Sequence, residues 1–377
     1  MRPLRATVVG CGTAGAAAAL LLARAGHEVH LFERFADPQP IGAGLLLQPT
    51  GLAVLARLGL RERVEAAGDR ITRIVGRTTG GRGVLDLDYG DLRPGLAGVG
   101  IHRAELFGAL WDALARQPGV TVHTGVEVTE LDGLDADLVV VAAGARTPLR
   151  AALGIPHRAR PYPWGALWCI APDPRRAFSG ALQQVYRDTR GLLGFLPTGG
   201  EVSLFWSVPA GTPPPDDLDA FAARLGALDP RAIDVLAHIR GPHDLLPATY
   251  LDVRMPRWHA GRTVLLGDAG HAMSPQLGQG ANLALMDAAA LADALADAPD
   301  VPTALGRYSD RRRAHLRYYA RASRGLTPVF QSHLALLGPP RDLLMGPLGR
   351  VGFVRRPMLQ TLVGVKTGVW RSMELPP

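Results

Sequence analysis

The chain opens on a short apolar run, Ala6–Val9, with no polar position to mark a wet face. A central parallel strand buried on both sides has this pattern. Glycines follow at 10, 12 and 15. Small residues then predict a helix over Ala16–Ala25 that ends at Gly26, a favourable C-cap. Glu28–Phe32 predicts a second strand with Glu33 at its C-terminal end. Helices are expected over Thr50–Leu58 and, with an amphipathic pattern, Ala104–Ala115. Ile71–Arg77 and Val84–Tyr89 read as paired strands joined by Thr79-Gly80-Gly81. Val120–His123, Val126–Glu130 and Asp137–Ala142 continue the β pattern.

Residues 151–260 change character. Trp164–Ile170, Leu182–Tyr186, Leu192–Leu196 and Val202–Val208 are short strands separated by turn signals such as Thr198-Gly199-Gly200. In the last of them Val202, Leu204, Trp206 and Val208 share one face, and Ser203, Phe205 and Ser207 the other. The alternation predicts an antiparallel sheet inserted into the first unit, broken by Pro213-Pro214-Pro215 before a helix at Asp217–Leu225. The first pattern returns with a strand at Thr263–Leu266, an Ala/Leu helix over Asn282–Ala296 and a basic helix over Ala304–Arg324. Apolar helical pieces broken by Pro339-Pro340, Pro347 and Pro357 close the chain. Three uses are open for them: covering a substrate site, forming a dimer surface, or touching a membrane.

At 377 residues, with 47% hydrophobic and 20% charged positions, the chain has room for two domains or for one with a large insertion. The net charge is +7, yet Lys366 is the only lysine, and the arginines form only short runs, among them 311–313 and 355–356. A nucleic-acid binder concentrates its charge on one element, so this spread argues against that class. Cys11 and Cys169 make no disulfide framework, and the eleven histidines show no two-ligand spacing, so no metal is expected. Without a signal peptide or an apolar run of about 18 residues, a cytoplasmic enzyme is expected.

The glycine turn carries the first chemistry. Gly10 permits a tight turn, Gly12 lets the backbone approach a diphosphate, and Gly15 allows helix and strand to pack closely. With Thr13 and Ala14 they open a helix whose free N–H groups and positive dipole end suit phosphates. Glu33 is placed to accept hydrogen bonds from adenosine ribose hydroxyls. Gly42-Ala43-Gly44 flanks an apolar loop, Leu45–Leu47, and suits a backbone close to a ligand, or a plain left-handed turn. Arg103, at a helix entrance, either faces a phosphate or caps a surface.

A second constellation is Gly267-Asp268-Ala269-Gly270-His271, then Pro275, then Gly278-Gln279-Gly280-Ala281-Asn282. With Glu33-Arg34, Gly42–Gly44 and His102-Arg103-Ala104-Glu105-Leu106 in order, residues 5–325 resemble the single-component FAD-dependent aromatic hydroxylases of the para-hydroxybenzoate hydroxylase type. The resemblance implies an α/β fold in three parts. A Rossmann-like FAD-binding domain takes residues 1–75, 96–155 and 261–325; an inserted antiparallel β-sheet substrate domain takes 76–95 and 156–260; C-terminal helices take 326–377. It implies tightly bound, non-covalent FAD, with Glu33 and Arg34 at the ribose, Arg103 at the diphosphate and Asp268 on the ribityl chain. Amides around Gly278, Gly280, Ala281 and Asn282 would face the N1/O2 edge of the ring, with Pro275 near C4a and Gly44 at the cofactor. The family's Asp-Gly after the strand at 137–142 is here Ala143-Gly144, a departure that bears on nicotinamide handling, although Arg146-Thr147 and Arg150 keep the rest of that pattern.

The activity implied is hydroxylation of a bulky aromatic or polycyclic small molecule with NAD(P)H and O₂ through a flavin C4a-hydroperoxide, in a monomer or homodimer. The flavin carries the hard chemistry, so no catalytic triad is required. Candidates for a base that ionises a phenolic substrate are His271, His102 and Tyr186. The alternatives are an FAD-dependent reductase or dehydrogenase of an isoprenoid or polyene, and a non-enzymatic prenyl-carrier-like binding protein.

Overall fold

The computed structural model describes residues 2–39 and 42–375. Strand β1 (Arg5–Val9) pairs in parallel with β2 (Glu28–Glu33) on one side and β9 (Leu138–Val141) on the other, which is why Ala6–Val9 are all buried. β8 (Val120–Thr124) extends the sheet beyond β2; β16 (Thr263–Leu265) and the short β15 (His259–Ala260) extend it beyond β9. Helix α1 (Thr13–Arg24) packs on this sheet and on α8 (Gly280–Ala296), along which α9 (Val301–Phe330) lies. Small residues let α1 and α8 meet: a Cβ on Gly267 would stand 3.2 Å from that of Ala14 and 3.3 Å from that of Ala284.

A second sheet has the order β14-β10-β13-β12-β11-β5-β6. Its members are β5 (Arg73–Thr78), β6 (Gly83–Asp88), β10 (Arg158–Pro172), β11 (Ala181–Arg187), β12 (Gly191–Pro197), β13 (Glu201–Pro209) and β14 (Leu246–Arg254). All its pairings are antiparallel except β11 with β5. The alternation in β13 decides its faces. Val202, Leu204, Trp206 and Val208 bury against α5 (Leu218–Gly226) and α6 (Arg231–Leu236). The opposite face turns to the parallel-sheet unit, where Ser203 Oγ accepts the Gly44 N–H at 2.9 Å. A three-stranded sheet, β3 (Gly44–Leu47), β7 (Gly98–His102) and β4 (Asp69–Ile71), lies in this junction. The other helices are α2 (Pro49–Arg57), α3 (Arg61–Ala67), α4 (Arg103–Arg116), α7 (Asp268–His271), α10 (Gly338–Leu348) and α11 (Gly352–Leu362).

The C-terminal segment packs on β6 through α10 and buries Leu359, Leu362, Val363 and Val365 with Ile71, Ile74 and Tyr89. Lys366 is buried within it, its ammonium donating to the Val369 carbonyl at 2.7 Å. Among the described residues no helix is long and apolar enough to cross a membrane, and no cluster of three His, Cys, Asp or Glu could hold a metal.

Four expectations change. Val126–Glu130 forms no strand: β8 is the edge of its sheet, and Val126 only donates its N–H back to Glu33 O before the chain leaves. Leu45–Leu47 is not a loop but part of β3, paired with β7. β14 was not expected, because Pro247 interrupts its pattern; Pro at a sheet edge removes only an outward donor, and β14 is an edge strand. The boundary at residue 75 runs through β5, which belongs whole to the seven-stranded sheet.

Candidate active site

Two helix starts face open space. At α1 the N-cap is Gly12, which has no side chain to cap the helix and nothing within 4 Å of where a Cβ would stand. The first helical bond runs from Ala16 N–H to Gly12 O at 2.9 Å, so the N–H groups of Thr13, Ala14 and Gly15 have no partner within the helix. Gly10 takes φ +98°, and a Cβ on Gly15 would stand 1.9 Å from Gly10 O. Here glycine is a steric requirement. Glu33 is already oriented: its carboxylate accepts the N–H of Cys11 at 2.9 Å and of Phe35 at 3.1 Å. Burial, and then Glu33, push the Cys11 thiol up to about 12, so it is no nucleophile.

The second start lies beyond β16. Gly267, at φ +58°, turns the chain so that Asp268 opens onto a groove of about 270 Å³. Arg34, the 143–146 loop, Tyr250 and Met273 share its walls. The Asp268 side chain is exposed in that groove; the protein packed around it raises its carboxyl above the usual range, partly offset by His271 and Arg103. Arg150 is buried and ties the two loops together, donating to Ala269 O at 2.7 Å and Ala145 O at 2.8 Å. Arg146 donates to Thr249 Oγ1 at 2.6 Å. Pro275, Gly278 and Gly280 are exposed on the loop that follows, and both glycines have open space around them. The α8 N-cap, Gln279, makes no side-chain cap.

Behind this loop lies a buried polar network. Asp287 accepts the Gly267 N–H at 2.8 Å, the Arg312 Nε–H at 2.7 Å and His271 Nε2. Burial alone would raise the Asp287 carboxyl; His271 and Arg312 outweigh it and hold the group well below the carboxylate range. Arg312 also donates to His315 Nδ1 at 2.7 Å, which leaves the His315 Nε2–H to donate to Gly364 O at 2.7 Å. Burial, then Arg312, push His315 down to about 3, so it is neutral.

The structure therefore brings together Gly10, Gly12, Thr13, Ala14, Gly15, Glu33 and Arg34 at one start, and Asp268, Pro275, Gly278, Gly280 and Ala281 at the other. Three positions also carry packing work. Gly44 is a packing contact: a Cβ there would stand 2.7 Å from Ser203 Cβ. Asn282 is fully buried and pins the loop, accepting Gln48 N–H at 2.8 Å and donating to Leu46 O and Gly278 O at 3.1 Å each. Gly42, at φ +118°, makes room for Arg103, whose Nε would be 3.0 Å from a Cβ there. None of the three base candidates is a free side chain over the groove. His102 caps α4 by accepting the Ala104 N–H, His271 is tied to Asp287, and Tyr186 is buried with its hydroxyl on Gln184.

Sequence reasoning missed Tyr250, because β14 was missed. It lines the groove beside Trp168, whose ring lies 4.9 Å from that of Phe205. The three form an aromatic wall on the inner face of the seven-stranded sheet; the Phe205 position in the β13 alternation was its one visible signal.

Comparison with known proteins agrees with this geometry. Residues 4–323 match the family model described as FAD binding domain. The 2-heptyl-3-hydroxy-4(1H)-quinolone synthase of Mycobacteroides abscessus is 30% identical over 365 residues, 92% of this chain and 94% of that protein. The kynurenine 3-monooxygenase of Salinispora arenicola is 31% identical over 358 residues, covering 82% of this chain and 76% of that protein. Among solved structures, Klebsiella pneumoniae HpxO complexed with FAD and uric acid superposes with TM-score 0.82 at 23% identity, covering 97% of this chain and 98% of that one. A helix start without a cap, an oriented carboxylate and the space left by Gly12 suit the diphosphate and ribose of FAD. With the family model spanning most of its length, the chain belongs to the FAD-binding family of para-hydroxybenzoate hydroxylase type, and it is an FAD-dependent monooxygenase that hydroxylates aromatic or heterocyclic molecules.

Proposed function

We propose that the substrate is a bulky, largely uncharged aromatic or polycyclic molecule, hydroxylated with NAD(P)H and O₂. The observation that carries this reading is the Tyr250–Trp168–Phe205 wall beside the Asp268 groove. An aromatic wall recognises a ring by stacking and area. One oxygen atom of O₂ enters a substrate C–H bond as C–OH, the other leaves as water, and NAD(P)H supplies the two electrons.

When bound, FAD supplies the electron transfer and oxygen activation. The chain supplies position and field. Glu33 would hold the ribose hydroxyls with Arg34 beside it, the α1 amides and Arg103 would hold the diphosphate, and Asp268 would hold the ribityl chain. The uncapped α8 amides at Gly280 and Ala281 would turn a positive dipole end toward the ring and so favour its negatively charged form. Pro275 faces the side where oxygen reacts. The seven-stranded sheet and its aromatic wall keep water from the reacting ring, which a peroxide-forming enzyme needs.

An absorbance spectrum of the purified protein tests this, with anaerobic NADPH added first and air afterwards. Flavin bands that bleach with NADPH and return with O₂, faster with an uncharged polycyclic aromatic than with a small aromatic acid, are expected. Bands that resist NADPH would move the reading to a monooxygenase served by a separate reductase or to a dehydrogenase, with Ala143 as the place to look. The absence of flavin after reconstitution would end it.

A further inference from the structure

The matched family span ends at residue 323, yet the tail beyond it touches the loop at the second helix start. α11 ends in a Schellman motif: Val365 N–H donates to Gln360 O at 3.1 Å and Gly364 N–H to Thr361 O at 3.3 Å, with Gly364 at φ +95°. Four consecutive carbonyls at this end accept side chains from the FAD-binding unit. Thr361 O takes Tyr319 at 2.8 Å, Leu362 O takes Gln279 at 2.6 Å, Val363 O takes Thr50 at 3.2 Å, and Gly364 O takes His315 at 2.7 Å. A Cβ on Gly364 would lie 2.2 Å from Thr50 Oγ1, so only glycine lets α2 approach this end so closely.

Gln279 links the tail to the loop. It sits between two glycines that have no side chains to hold them, and it is buried while they are exposed. Its backbone carbonyl accepts the Leu283 N–H at 2.8 Å, and its side chain spends its donor on the tail instead of capping α8. Asn282 holds the loop from the β3 side. Gln279 holds it from the tail side.

We propose that the C-terminal tail is a working part of the flavin site, with Gln279 as the positioning residue through which it sets the Gly280 and Ala281 amides against the ring. This rests on the reading that those amides face the flavin. A loop free to relax away from the ring loses more of its hold on the reduced, negatively charged flavin than on the oxidised one.

The test is the midpoint potential and FAD content of the holoenzyme in wild type, Gln279→Met, Thr50→Val and Gly280→Val. Gln279→Met should keep FAD but hold the reduced form about tenfold less tightly relative to the oxidised form, lowering the two-electron potential by about 30 mV. Thr50→Val, which loosens the same tail from α2, should shift it the same way and less. If both leave the potential unchanged while lowering Tm, the tail is only structural and the proposal falls. If Gln279→Met does not fold, Thr50→Val alone decides. Gly280→Val fills the space assigned to the ring. Normal FAD content and potential in that variant would overturn the amide-loop reading itself, whereas loss of FAD there with no shift in the other two sinks the tail proposal alone.

Discussion

The two helix starts do similar electrostatic work and are built in opposite ways. The α1 start is local: strand, glycines, helix and the Glu33 carboxylate all come from residues 5–35. The α8 start is assembled. Asn282 fastens it to β3 and Gln48, Asp287 fastens Gly267 to α9, and Gln279 fastens it to Leu362. A diphosphate carries a fixed charge and needs only a rigid cradle. A redox ring changes charge in each turnover, and here its proposed seat depends on contacts drawn from the whole chain. Damage far from the α8 start should therefore reach it, while the α1 start depends chiefly on its own residues and on Ala142 packed beside it.

Asp287→Asn should break this contrast most severely. It leaves Arg312 charged in a buried site with no carboxylate, at a cost of about 3–5 kcal/mol. Thermal unfolding should show that loss, and flavin release should begin below the unfolding transition as Gly267 loses its anchor. Gly15→Ala tests the local start: with Gly10 O 1.9 Å from the new Cβ, about 1–3 kcal/mol of strain falls on the turn itself. Equilibrium dialysis should find FAD held at least about tenfold more weakly, a loss of 1.4 kcal/mol or more.

Acid should separate the two starts next. His315 is neutral when folded, so below its unfolded value of 6.5 the unfolded chain takes up a proton that the folded chain refuses. Stability is full above pH 6.5 and falls as pH drops toward about 3, with His315 costing about 2 kcal/mol at pH 5. His27 and His259, also lowered by burial, add in the same direction. Asp287 adds a further loss below the ordinary carboxylate value of 3.8. His315→Gln should flatten the pH 5–7 slope of Tm; an unchanged slope would remove His315 from the account. The smallest effect belongs to a helix start with no ligand duty. Asp300 caps α9 by accepting Thr303 N–H at 2.8 Å, and Asp300→Ala should cost about 1 kcal/mol with FAD content unchanged.

The same contrast sets what could be read in advance. Ala6–Glu33 was legible because its period, glycines and acid are contiguous. The 267–282 loop was legible only as a motif: its glycines and Asp268 could be named, but not Arg312, His315 or Leu362, which reach it from 25 to more than 80 positions away. The packing duties of Asn282 and Gly44 were not legible, for one reason. A residue that must sit in a tight loop beside a ligand and a residue that must pack there leave the same mark on a sequence. Val126–Glu130 alternated like a strand, but no neighbouring strand was available past the sheet edge. Tyr250 was hidden by Pro247, which reads as a strand breaker until the strand is known to be an edge.

The ammonium of Lys366 lies folded against the Val369 carbonyl and 6.0 Å from the Tyr318 ring, and every other cation counted in the +7 balance is an arginine. Amine-directed labels, cross-linkers and acylating agents therefore find no lysine on the native surface. Modification of Lys366 becomes a report that the tail has come undone.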